Sequence, residues 1–118
     1  MQRHDLIQKI KAQYHAEPDY PWAKYPDYAV FRHSHNHKWF CLLMSVPSAI
    51  LGIESEQEIV DIINVKAHPE QIGSLRTIQG VLPAYHMNKE HWVSLVLSQV
   101  SDELIAQLLD ESFALTMK

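Results

Sequence analysis

Hydrophobic and polar positions recur along this chain with two periods, one near 3.6 residues and one of 2. Over residues 2–14 the apolar positions are Leu6, Ile7, Ile10 and Tyr14, the spacing of a helix with one apolar face. Pro18 ends it, because a proline disfavours helix in the residue before it. Tyr20-Pro21-Trp22-Ala23-Lys24-Tyr25-Pro26 then reads as an aromatic loop folded over one edge of the core, since its prolines forbid a central strand.

Residues 28–33 predict a first strand, Ser34-His35-Asn36-His37 a turn, and residues 38–46 a second strand. The second strand is apolar on both faces, with Trp39, Cys41 and Leu43 on one and Phe40, Leu42 and Met44 on the other. That places it centrally in its sheet. Residues 47–52 read as a turn or short helical bend. In a third strand over residues 59–66, Val60 and Ile62 share a face with Asn64 and Lys66, so one face turns polar toward the end.

His68-Pro69-Glu70 opens a short helix that buries Ile72 and Leu75 and stops before Gly80. A fourth strand over residues 81–86 carries Pro83 and is therefore an edge strand or irregular. Asn88-Lys89-Glu90 makes a turn into a fifth strand over residues 91–97. Ser101 caps a last helix, on which Leu104, Ile105, Leu108, Leu109 and Phe113 form the apolar stripe. The predicted order, α-β-β-β-α-β-β-α, is that of a two-layer α+β domain with an antiparallel sheet and helices on one side.

Composition narrows the class. The 118 residues fit one domain, residues 1–118, and an apolar share of 47% supplies one core. The formal charge of −4 opposes attraction of the whole molecule to nucleic acid without excluding a local basic face. The eight histidines would bring that charge upward on mild acidification. A single cysteine, Cys41, forbids an internal disulfide. The first residues carry no apolar signal segment. The longest apolar run, at Trp39 through Met44, is far below the ~20 residues of a membrane helix. A cytoplasmic protein without membrane association is expected.

A family resemblance rests on several stretches. They are Tyr25-Pro26-Asp27-Tyr28-Ala29-Val30-Phe31-Arg32-His33, Lys38-Trp39-Phe40, Asn64-Val65-Lys66 and Ile72-Gly73-Ser74-Leu75-Arg76. The most specific is Gly80-Val81-Leu82-Pro83-Ala84-Tyr85-His86-Met87-Asn88-Lys89-Glu90-His91-Trp92. The chain resembles the MmcQ/YjbR-like family of small bacterial proteins over nearly its whole length. The resemblance implies an α-β3-α-β2-α fold, compared to secretion chaperones and to frataxin-like proteins, and a DNA-binding role.

Among candidate constellations, His33, His35 and His37 alternate as metal ligands on a strand would, but the turn at Ser34 and Asn36 breaks that strand. An exposed hairpin tip is the expected reading, with no metal. Lys66, Tyr85, Asn88, Lys89, His91 and Trp92 combine cations, amide donors and a ring suited to phosphate contact and stacking, with Trp92 read as core. Lys24, Arg32 and Lys38 concentrate base on the first hairpin, whereas Glu54, Glu56, Glu58 and Asp61 are acids without a base. No nucleophile elbow, P-loop or dinucleotide fingerprint is present, so no catalytic residue and no cofactor is expected.

The leading expectation is DNA binding, with double-stranded DNA contacted by Arg32, Lys38, Lys66 and Lys89 and assisted by Tyr85, Asn88 or His91. The alternatives are a chaperone-like adaptor that meets a protein partner through an apolar sheet face, and a small-ligand pocket lined by Trp22, Trp39, Tyr85 and Trp92. Oligomeric state is left open.

Overall fold

The computed structural model describes residues 1–118 throughout. Its elements are α1 (Arg3–Tyr14), β1 (Ala29–Arg32), β2 (Trp39–Pro47), α2 (Ser48–Leu51), β3 (Ile59–Lys66), α3 (Pro69–Leu75), β4 (Val81–Pro83), β5 (Trp92–Val96) and α4 (Asp102–Leu115). This is the predicted order, with the bend expected over residues 47–52 formed as the helical turn α2. The strands form a single antiparallel sheet in the order β1-β2-β3-β5-β4. An α+β domain results.

Both faces of the sheet are covered, which explains the nearly continuous apolar runs of β2 and β3. Leu6 and Ile10 of α1 and Ile105, Leu108 and Leu109 of α4 pack on Phe31, Phe40, Leu43, Ile63, Val65 and Leu95. The opposite face buries Val30, Leu42, Met44, Val46, Val60, Ile62 and Val96, against which Trp22, Tyr28, Trp39, Leu51, Tyr85 and Met87 lie half-buried. No long helix covers this second face. Loops and α2 do.

The faces of β2 differ from the expected alternation. Phe31 pairs with Cys41 while Arg32 pairs with Trp39, so Phe40 is an extra residue in a bulge. Phe40 therefore joins Cys41 and Leu43 on the helix side, and Trp39 passes to the loop side. At this break, the Ser112 hydroxyl of α4 donates to the Phe40 carbonyl at 2.5 Å and accepts from the Lys66 N–H at 2.8 Å. A side chain thus bridges backbone groups that a regular ladder would pair directly.

The hairpin tip is not wholly exposed either. His33 is buried among Phe40 and Phe113, with ring centroids at 5.2 and 4.4 Å, and its Nε2 lies 2.7 Å from the Thr116 hydroxyl. That hydroxyl already donates to the Ser112 carbonyl, so His33 must supply the proton of their contact. Burial lowers the His33 pKa first, and the neighbouring His35 adds to the effect. His35 and His37 stay exposed. The fourth and fifth strands are shorter than expected, and β4 stops at Pro83 on the sheet edge.

Candidate functional site

The loop-covered face is not packed solid. A groove of about 250 Å³ remains, lined by Trp22, Tyr25, Tyr28, Trp39, Leu42, Met44, His86 and Met87. Leu42 and Met44 of β2 form its floor. Trp39 reaches the same face because the bulge turns it there.

The aromatic loop builds one wall. It is anchored by Asp19, whose N–H and C=O both pair with Val30 at 2.9 and 2.8 Å, so the loop begins as a short extension of the β1 edge. The chain then folds back over the sheet. Trp22 stands edge-on to Tyr28 and to Trp39, with centroids at 6.0 and 5.8 Å, while Tyr25 and Tyr28 stack at 4.7 Å. Burial, and secondarily Tyr85 and Tyr25, raise the Tyr28 pKa, so its phenol stays protonated at neutral pH.

A closed ring of hydrogen bonds holds the other wall. Asn64 and Ser94 are cross-strand partners on β3 and β5, and both are fully buried. The Tyr85 N–H donates to the Ser94 hydroxyl at 2.9 Å, that hydroxyl donates to the Asn64 side-chain oxygen, and the Asn64 amide donates to the Tyr85 carbonyl at 2.9 Å. Every polar group in the triangle has its partner, as burial requires. The triangle pins Tyr85, and the chain leaves it through His86 at φ 60°, a left-handed turn that a histidine adopts at some cost. That turn sets His86 and Met87 against the groove.

The sequence-predicted site residues are dispersed. Arg32 borders the groove, but it is paired to Asp19 at 2.9 Å and lies over the Trp39 ring at 5.5 Å. Lys38 donates to the Lys118 carbonyl beside the C-terminal helix, away from the groove face. Lys66 ends β3 on the groove face, one same-face step beyond Asn64 and opposite Trp92. Tyr85 acts through its backbone.

Asn88 is occupied by turn making, its side-chain oxygen accepting the Glu90 N–H at 2.8 Å and its carbonyl the Trp92 N–H at 2.9 Å. Lys89 is exposed beside a second depression lined by Ile50, Leu51, Leu82 and Tyr85. The half-buried His91 extends the sheet, its carbonyl accepting from the Ala67 N–H. Of the four rings expected to line a pocket, Trp22 and Trp39 do so, Tyr85 borders it, and Trp92 stands outside at half burial. Sequence reasoning missed Tyr25, Tyr28, His86 and Met87. The aromatic density of residues 20–28 was the available signal for the first two.

Sequence and fold are shared with known proteins. The YjbR family model matches residues 11–115. YyaQ, an uncharacterised Bacillus subtilis protein, is 46% identical over 115 residues, covering 97% of each chain. A Pseudomonas syringae protein of known crystal structure superimposes with a TM-score of 0.94 at 47% identity, covering 98% of this chain and 99% of its own. The Deinococcus radiodurans protein DR2400, with a DUF419 domain, aligns at a TM-score of 0.74 and 26% identity, over all of this chain and 80% of its own. The chain belongs to the YjbR family.

Proposed function

We propose that this protein is a non-catalytic binding domain whose groove takes a small planar ligand. The observation that carries the reading is an open space of about 250 Å³ between Trp22, Tyr28, Trp39 and Met87 on a sheet face that would otherwise be sealed. An apolar cavity of about 150 Å³ holds benzene, so this one suits a fused two-ring system. Stacking and edge contacts from the rings would orient it. The lining has no carboxylate, serine or cysteine, which supports binding rather than chemistry.

A ligand of about 10 non-hydrogen atoms at about −0.5 kcal/mol each gains about −5 kcal/mol, a Kd near 0.2 mM. The test is an NMR titration with 2-naphthol. The three tryptophans give three indole N–H signals. Those of Trp22 and Trp39 should shift saturably while that of Trp92 stays nearly still. Absence of shifts at several millimolar ligand removes the proposal.

DNA binding is a second reading, favoured by one observation. Lys66 and Lys89 make none of the chain's four ion pairs, which involve the N-terminus, Lys11, Arg32 and His68. Contacts from Lys66 and Lys89 predict a salt slope of about −1.8 for duplex DNA, from about two phosphates neutralised. Anisotropy across a salt series measures it, and a flat response at low salt ends this reading.

A further inference from the structure

We infer that the groove's two-ring occupant is the tryptophan side chain of an acidic, extended peptide segment. A second apolar residue of the same segment enters the neighbouring depression. The inference rests on the groove being a ligand site and names its partner.

Two hollows lie on one row of the sheet. Leu42 floors the groove, and Leu82 lines a depression of about 360 Å³ together with Ile50, Leu51 and Lys89. Leu42 pairs with Asn64, Asn64 with Ser94 and Ser94 with Leu82, so the four residues form one cross-strand row. Three strand spacings separate its ends, about 14 Å. At the middle of the row Tyr85 is tied by its backbone to Asn64 and Ser94. His86 follows at its left-handed φ and lines both hollows. The hollows are therefore neighbours across a single partition of chain.

An extended peptide matches that spacing. Residues four apart in a strand lie about 13 Å apart and point the same way. The groove suits a fused two-ring system, and among side chains only indole is one. The second hollow is lined mainly by aliphatic groups, which suits leucine. Ile50 of the depression and Tyr25 of the groove are 60% and 44% exposed, so each hollow presents an apolar group to solvent.

Charge selects an acidic segment. No aspartate or glutamate lines either hollow, although the chain has 14 of them. Lys89 lines the depression, and the Lys24 ammonium lies 5.9 Å from the ring centroid of Tyr25 in the groove lining. Both lysines are exposed and form no ion pair. Arg32, over Trp39, is already paired to Asp19. Asp27 and Glu90, near these lysines in sequence, line neither hollow and form no ion pair. A chain of formal charge −4 thus keeps an acid-free apolar strip with a free lysine at each hollow.

The test is an NMR titration of the ¹⁵N-labelled chain at low salt and pH 7. The probe is acetyl-Glu-Glu-Trp-Ser-Ser-Ser-Leu-Glu-Glu-amide or its reversed sequence, which places the two anchors in the opposite chain direction. The indole signals of Trp22 and Trp39 and the amides of Leu82 and Lys89 should shift together with one Kd. Alanine in place of the peptide's tryptophan or of its leucine should each weaken binding about 10-fold or more. Glutamine in place of the glutamates should weaken it about 5-fold, a preference that salt erases because both lysines are exposed. The Lys24→Met, Lys89→Met double variant should lose that preference and keep its affinity for 2-naphthol. The inference is overturned if the peptides leave the chain unmoved while 2-naphthol binds, or if either anchor is dispensable. A glutamine peptide that binds as well as the acidic one also overturns it, and the groove then stands as a small-molecule site. Signals that move with protein concentration alone mean that a second copy takes the face, and they overturn it too. Failure of peptides and 2-naphthol alike removes the site together with its partner.

Discussion

The hydrogen-bonded triangle under the groove wall makes a sharp prediction for Ser94→Ala. Ser94 and Asn64 are fully buried, and the serine hydroxyl both accepts from the Tyr85 N–H and donates to the Asn64 oxygen. Removing one oxygen leaves two buried polar groups without partners. Each stranded group costs about 1–3 kcal/mol, so the loss should be about 2–6 kcal/mol. A chain of this length has a total stability of roughly 6–18 kcal/mol, so the variant folds but sits visibly lower. At about 4 °C per kcal/mol, Tm should fall by roughly 8–24 °C. Urea denaturation followed by far-UV circular dichroism measures the free energy, with the slope m unchanged.

The triangle also predicts a coupling. In an Asn64→Leu, Ser94→Ala double variant only the Tyr85 backbone groups are stranded, so the double loss should be smaller than the sum of the singles by about 1 kcal/mol or more. Because the triangle holds Tyr85, Ser94→Ala should also disturb the wall of His86 and Met87 and shift the Trp39 indole signal. Ser45→Ala is the control. Its bond to Asp61 is half-exposed, and its loss should cost under about 1 kcal/mol. A loss below about 0.5 kcal/mol for Ser94→Ala, or strict additivity in the double variant, would refute the reasoning.

Ser112→Ala strands the Phe40 carbonyl and the Lys66 N–H at the bulge, so urea titration should again show about 2–6 kcal/mol lost. At Gly80, φ is 89° and an added Cβ would lie 2.8 Å from both the Gln99 Cβ and a Val100 methyl, so Gly80→Ala should cost about 2–5 kcal/mol in the same assay. The pH dependence of His33 has a definite sign. Its folded pKa lies below the unfolded value of ~6.5, so the unfolded chain binds the proton first and stability falls as pH drops from ~6.5 toward the folded value. His33→Gln should flatten that part of the profile of urea midpoint against pH, and an unchanged slope would contradict the assignment.

How much of this was legible in the chain depends on the distance over which each feature is decided. Helix α4 could be read because its signals are local: the Ser101 hydroxyl accepts from the Leu104 N–H at 3.2 Å, and Ile105, Leu108 and Leu109 recur at helical spacing. Pro83 likewise announced an edge strand. The bulge was invisible. It depends on β1 opposing β2 out of step and on Ser112, which lies 72 residues from Phe40 in sequence. Yet it decides more than one side chain, since a one-residue slip reverses every position beyond it. It turns Trp39 into the groove and leaves Lys38 beside Lys118 on the helix side.

A regular β2 would have put Lys38 on the face of Leu42, with Arg32 and Lys66, and a basic patch would have followed. The physical fact separating a scattered set of cations from a gathered one is therefore the extra residue at Phe40. The same residue opens the groove by supplying Trp39 as its wall. The chain traded a clustered positive face for an aromatic one. That exchange is why the groove, rather than the sum of its lysines and arginines, is the strongest basis for a function.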